Sequence, residues 1–233
     1  MASAHIDTFA RDRLPPAAMQ PEFLFELPEL QFPERLNCAT ELLDRAVQRG
    51  WGGRLCVRGY ADLQAQANRI ANVLVRRMGL VPGNRVLLRA PNTPLLAACW
   101  FAVMKAGGIA VATMPLLRAK ELQAIIDKGR ISHALCDARL AGELHAAART
   151  CPVLAQVRCF NDASADGLEA AMAEESELFD NVDTAADDTC LLAFTSGTTG
   201  VPKATMHFHR DVMAICACWP GHVLRPSADD VFI

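Results

Sequence analysis

The stretch Thr195-Ser196-Gly197-Thr198-Thr199-Gly200-Val201-Pro202-Lys203 constrains the fold most, because of what stands on either side of it. Before it, Leu191-Leu192-Ala193-Phe194 is a short apolar run suited to a buried strand. After it, His207 to Cys218 mixes apolar and polar residues as a helix does. Strand, glycine-rich loop and helix together make a phosphate cradle: loop N–H groups face the anion, and the helix start adds partial positive charge. Four hydroxyls, two glycines and one lysine fall within these nine residues. Gly197 and Gly200 allow the backbone to approach a ligand closely. Pro202 stiffens the loop, and Lys203 brings a mobile point charge to polyphosphate. The pattern is not a Walker loop, since Pro202-Lys203-Ala204 stands where Gly-Lys-Ser/Thr would. The same residue types also build ordinary surface turns.

The preceding residues alternate short apolar runs with amphipathic stretches. Leu63, Ala67, Ile70, Ala71, Leu74 and Met78 recur at helical spacing, and Gly79 ends that helix. Strands are expected at Arg85–Leu88, Ile109–Ala112, Ala134–Cys136 and Gln156–Phe160. Helices are expected at Leu95–Ala106, Ala119–Lys128, Ala138–Arg149 and Gly167–Ala173. This order predicts an α/β fold with a largely parallel sheet flanked by helices. Thr93 to Leu117 carries one charge, Lys105, but Gly107-Gly108 break the run, so it reads as buried helix plus buried strand and not as a membrane span. Residues 1–37, rich in proline and phenylalanine, are expected to form an extended arm. Asn37 would cap a helix from Cys38 to Arg49.

A net charge of −3 over 233 residues argues against a nucleic-acid binder. Nine cysteines, no Cys-x-x-Cys and no secretory signal suggest free thiols in a reducing cytoplasm. Cys216 and Cys218, two apart on a helix, face different ways and do not suggest a metal site. Asp187-Asp188 reads as a solvated turn. His207 and His209 read as caps or solvent contacts that could lend positive charge to the loop if protonated.

The nine-residue stretch closely resembles the phosphate loop of the adenylate-forming superfamily, which holds acyl- and aryl-CoA ligases, peptide-synthetase adenylation domains and beetle luciferases. The likeness extends over Tyr60-Ala61-Asp62-Leu63 with Arg69 and Ala71, Gly83-Asn84-Arg85-Val86, Asn92, Lys105-Ala106-Gly107-Gly108 and His209-Arg210. Ala204 stands where most relatives have glycine. In the arm, Arg11-Asp12-Arg13-Leu14-Pro15-Pro16, Phe23, Leu27-Pro28-Glu29-Leu30 and Arg35-Leu36-Asn37 resemble aryl-CoA ligases of the benzoate and 2-aminobenzoate type.

The resemblance implies a two-step reaction. A carboxylate attacks the α-phosphate of ATP, and coenzyme A then displaces AMP. It implies that Thr195, Ser196, Gly197, Thr198, Thr199, Gly200 and Lys203 hold the ATP phosphates. Lys203 would also neutralise the leaving pyrophosphate, and Thr195 would touch Mg²⁺. Residues 38–233 would then be the first part of the large N-terminal domain of such an enzyme. The acyl pocket, ribose-binding aspartate, hinge and C-terminal domain with its catalytic lysine would be absent, and Val231-Phe232-Ile233 would be an interrupted strand. Partners would be a small carboxylic acid, ATP and coenzyme A, with no membrane span and with a homodimer left open. Two other readings stand beside it: a nucleotide-binding α/β module without acyl chemistry, and an adenylation domain loading a carrier protein.

Overall fold

The structure is a computed structural model that describes residues 2–195, 202–227 and 230. Six strands form one sheet in the order β4-β3-β1-β2-β5-β6. They are β1 (Arg85–Arg89), β2 (Ile109–Thr113), β3 (His133–Asp137), β4 (Gln156–Phe160), β5 (Thr189–Thr195) and β6 (Lys203–Phe208). The first five are parallel, and β6 runs antiparallel to β5. The helices are α1 (Tyr60–Asn72), α2 (Pro94–Lys105), α3 (Ala119–Gly129), α4 (Ala141–Ala148), α5 (Leu168–Ala173) and α6 (His209–Cys218).

Strand alternation divides the core into two layers. Val86, Leu88, Ala110 and Leu135 face α1, α2 and α5. Leu87, Ile109, Val111 and Ala134 face α3 and α4. β1 and β3 are buried along their whole length, which is why the sequence shows continuous apolar runs there instead of alternation. The run from Thr93 to Leu117 resolves as expected into α2 and β2, and no helix among the described residues is long and apolar enough to cross a membrane. Thr93 starts α2 by accepting the Leu96 amide at 3.2 Å, and Pro94 occupies the first turn, where no N–H is needed.

Lysine, arginine and aspartate side chains in the core are held by hydrogen bonds. Lys105 is 1 % exposed and binds Asp44 and Asn181. Arg89, 1 % exposed, donates to the carbonyls of Met114, Pro115, Leu117 and Leu140. Asp188 corrects the solvated turn expected at Asp187-Asp188. Its side chain is 1 % exposed and accepts the amides of Ala4 and Ala185, each at 2.9 Å, and the Ser3 hydroxyl. Burial alone would raise its pKa, but these hydrogen bonds and nearby His5 hold it below the usual carboxylate value.

Residues 2–37 follow the surface with three short 3₁₀ turns. Ile6 and Asp7 amides reach the Pro82 carbonyl at 2.9 Å, and Asp7 pairs with Arg85 at 2.5 Å. From Cys38 the chain is helical, with π-helical turns at Thr40–Asp44 and Val47–Trp51.

Candidate functional site

Thr195 ends β5 and Lys203 begins β6, and the two are register partners. The loop between them is therefore the turn of an antiparallel hairpin. This corrects the strand–loop–helix arrangement expected from the sequence. The helix begins at His209 and not at His207, and the residues from Lys203 to Phe208 are a strand. The reason is pairing: Ala204, Thr205, Met206 and His207 find partners in Phe194, Ala193, Leu192 and Leu191. Ladder hydrogen bonds and a part-buried face override the helical mixture of residue types. Among the described residues the next helix, α6, starts six residues after Lys203 and so does not follow the loop directly.

Ser196, Gly197, Thr198, Thr199 and Gly200 lie outside the described residues. Thr195 and Lys203 are both exposed at the hairpin mouth. As directly opposed residues, their side chains leave the same face of the sheet. Lys203 has no carboxylate partner among the described residues. Beside them lies a cavity of about 500 Å³, lined by Thr113, Met114, Lys120, Phe194, Thr195 and Pro202. It sits at the carboxyl ends of β2 and β5, the end of a parallel sheet where α/β folds bind ligands. An unpaired ammonium and a hydroxyl beside an open cavity suit an oxyanion, and a hydroxyl oxygen suits a hard cation such as Mg²⁺.

The two histidines sit elsewhere. His207 lies four residues along β6 from Lys203, about 13 Å at strand rise, and its Nε2 meets the Thr205 hydroxyl at 3.1 Å. That distance exceeds a physiological screening length, so a charge on His207 contributes little at Lys203. His209 is fully buried at the start of α6. Its Nδ1 accepts the Cys38 amide at 3.1 Å and lies 3.2 Å from Cys38 Sγ.

Cys38, Cys190 and His209 bring their side-chain ligand atoms within 4.8 Å of one another, all buried. Burial works to raise both thiols. At Cys38 the Cys190 hydrogen bond and the His209 imidazole outweigh it and lower the pKa, whereas Cys190 is pushed up. The sequence carries no sign of this cluster, because its members come from three separated segments. Cys216 and Cys218 are exposed and outside it.

The profile of the AMP-binding enzyme family matches residues 37–233. The chain belongs to the AMP-binding enzyme family. It is 27 % identical to the benzoate–CoA ligase of Thauera aromatica over 210 residues, which cover 88 % of this chain and 40 % of that protein. It is 30 % identical to the 3-hydroxybenzoate–CoA/4-hydroxybenzoate–CoA ligase of the same organism over 206 residues, 79 % of this chain and 37 % of that protein. The chain thus spans about two fifths of the length of these AMP-binding relatives. The crystal structure of an anthranilate CoA ligase in complex with anthranoyl-AMP superposes with a TM-score of 0.79 at 20 % identity. That match covers 84 % of this chain and 39 % of the other, and it shows the shared fold.

Proposed function

We propose that this AMP-binding family member serves an ATP-dependent acid–CoA ligase acting on an aromatic acid such as benzoate or 2-aminobenzoate. The observation that carries the reading is the hairpin mouth, where Thr195 and Lys203 stand side by side next to an open cavity, inside the segment matched by the family. ATP supplies the adenylyl group that activates the carboxylate, and coenzyme A supplies the thiol that replaces it. The Lys203 ammonium offsets charge on the departing pyrophosphate. The Thr195 hydroxyl offers an oxygen to Mg²⁺. Ser196, Gly197, Thr198, Thr199 and Gly200 contribute hydroxyls and amides to the β- and γ-phosphates. These groups do no covalent chemistry; they position reactants and offset charge, which is the larger part of catalysis when two anions must meet.

The aromatic preference is supported by the benzoate and hydroxybenzoate ligases among the relatives and by the arm's resemblance to that class. The free state of all nine cysteines supports a reducing, cytoplasmic setting. The test is ATP–pyrophosphate exchange by the intact ligase that carries these residues, with a panel of aromatic and fatty acids. Exchange that depends on an aromatic acid supports the proposal, and exchange with long-chain acids alone overturns the substrate class.

A further inference from the structure

We propose that Cys38, Cys190 and His209, with Met104 beside them, form a buried Zn²⁺ site that fastens the base of the loop-bearing hairpin. Four segments converge there. Cys38 opens the first helical segment, Met104 lies in the last turn of α2, Cys190 is the second residue of β5, and His209 is the first residue of α6. Each is fully buried. Cys38 Sγ lies 3.2 Å from His209 Nδ1 and 3.3 Å from Met104 Sδ, and the Cys190 thiol, which also donates to the His207 carbonyl at 3.5 Å, completes the group.

The dimensions suit a tetrahedral ion. Zinc–sulfur bonds of about 2.3 Å and zinc–nitrogen bonds of about 2.1 Å place neighbouring ligand atoms about 3.6–3.8 Å apart. The Cys38–His209 and Cys38–Met104 separations of 3.2 and 3.3 Å open by about half an ångström to reach that spacing, and the Cys38, Cys190 and His209 ligand atoms, all within 4.8 Å of one another, close by no more than about 1 Å. The donor set is soft, with two thiols, a thioether and an imidazole, which selects against Mg²⁺ or Ca²⁺. Charge decides among soft ions. On binding, both thiols lose their protons to solvent, and two thiolates with Zn²⁺ sum to zero. A neutral complex is what a fully buried apolar site accommodates; Cu⁺ with the same two thiolates would leave a buried negative charge. The His209 Nδ1 lone pair, which now accepts the Cys38 amide, would turn to the ion, so that one hydrogen bond is exchanged for a coordinate bond.

Such an ion would join the two ends of the hairpin. Cys190 lies five residues before Thr195 and His209 six after Lys203, so the site fixes the strands without touching the loop. Its role would be structural and separate from the adenylation reading.

The test uses the reduced protein, stripped of metal by a chelator and handled without oxygen. Zn²⁺ alone is titrated, and bound metal is counted by mass spectrometry. One equivalent is expected to bind, to raise the melting temperature and to release protons. Cys38→Ser and Cys190→Ser should each weaken binding by more than about 100-fold. Cys216→Ser/Cys218→Ser, which alters only exposed thiols, should change nothing. If the buried variants fail to fold, Co²⁺ in the unaltered protein gives an independent readout, since tetrahedral thiolate coordination produces intense thiolate-to-cobalt absorption. Sub-stoichiometric Zn²⁺, loss of binding in the Cys216→Ser/Cys218→Ser variant, uptake of Cu⁺ but not Zn²⁺, or a Cys38–Cys190 disulfide in the native protein would each overturn the proposal.

Discussion

At the scale of single residues, Arg89 connects the core to the cavity. It has no carboxylate partner within ion-pair distance among the described residues, and burial draws its pKa down from the ordinary arginine value. What holds it is four backbone carbonyls, three of them in the turn from Met114 to Leu117 that borders the cavity. Arg89→Met should cost about 2–4 kcal/mol in urea unfolding, because several part-buried acceptors lose their donor at once. A loss under half a kcal/mol would mean that water replaces the guanidinium without penalty. Asp137 gives a pH signature. Its hydrogen bonds from Arg139, at 2.6 and 2.8 Å, lower its pKa to about 2 from the usual 3.8. A carboxylate with a depressed folded-state pKa stabilises the fold above its unfolded pKa and loses that contribution as pH falls through the folded value. Unfolding free energy should therefore drop between about pH 4 and pH 2, and Asp137→Asn should flatten that limb. At the hairpin mouth, hydrogen bonds to charged groups contribute about 1.5–3 kcal/mol, so Lys203→Ala or Thr199→Ala should slow adenylation roughly 10- to 150-fold. Both should leave expression little changed, since a glycine-rich loop contributes little to a core and Lys203 is exposed.

At the scale of elements, the helices and parallel strands were legible because their signals are local. Helical spacing marked α1, the glycine pair marked the boundary between α2 and β2, and apolar runs marked the buried strands. β6 was not legible. Its residues acquire strand character only by pairing with β5, a contact that local patterning does not encode. The burial of Asp188 escaped for the same reason, since it depends on the distant Ala4 amide and Ser3 hydroxyl. Gly83 tests how the arm is fastened. It has φ of 91°, and a Cβ there would stand 2.1 Å from the Asp7 carbonyl oxygen. Gly83→Ala should destabilise by more than about 1 kcal/mol and, by loosening the arm, speed tryptic cleavage at the already exposed Arg11 and Arg13. Gly142→Ala, in α4 with nothing within 4 Å of the added methyl, should cost nothing. Equal effects of the two would show that the Asp7–Pro82 junction is not tightly held.

At the scale of the whole molecule, the sheet presents the carboxyl ends of β2 and β5 to a cavity, and Thr195 and Lys203, the ends of the glycine-rich stretch, lie on its two last strands, β5 and β6. The proposed chemistry of the loop rests on the sequence, where seven of its nine residues carry hydroxyls, glycine or lysine. The buried thiol–imidazole cluster was not legible there, because only folding brings its parts together. The central claim is that the hairpin mouth serves carboxylate adenylation. The most direct measurement is ATP–pyrophosphate exchange in the intact ligase that carries these residues, with benzoate, 2-aminobenzoate and palmitate compared with and without Lys203→Ala. The account predicts exchange that depends on the acid, is faster with the aromatic acids than with palmitate, and is depressed in the variant. Exchange that no acid promotes, or that Lys203→Ala leaves untouched, would contradict it.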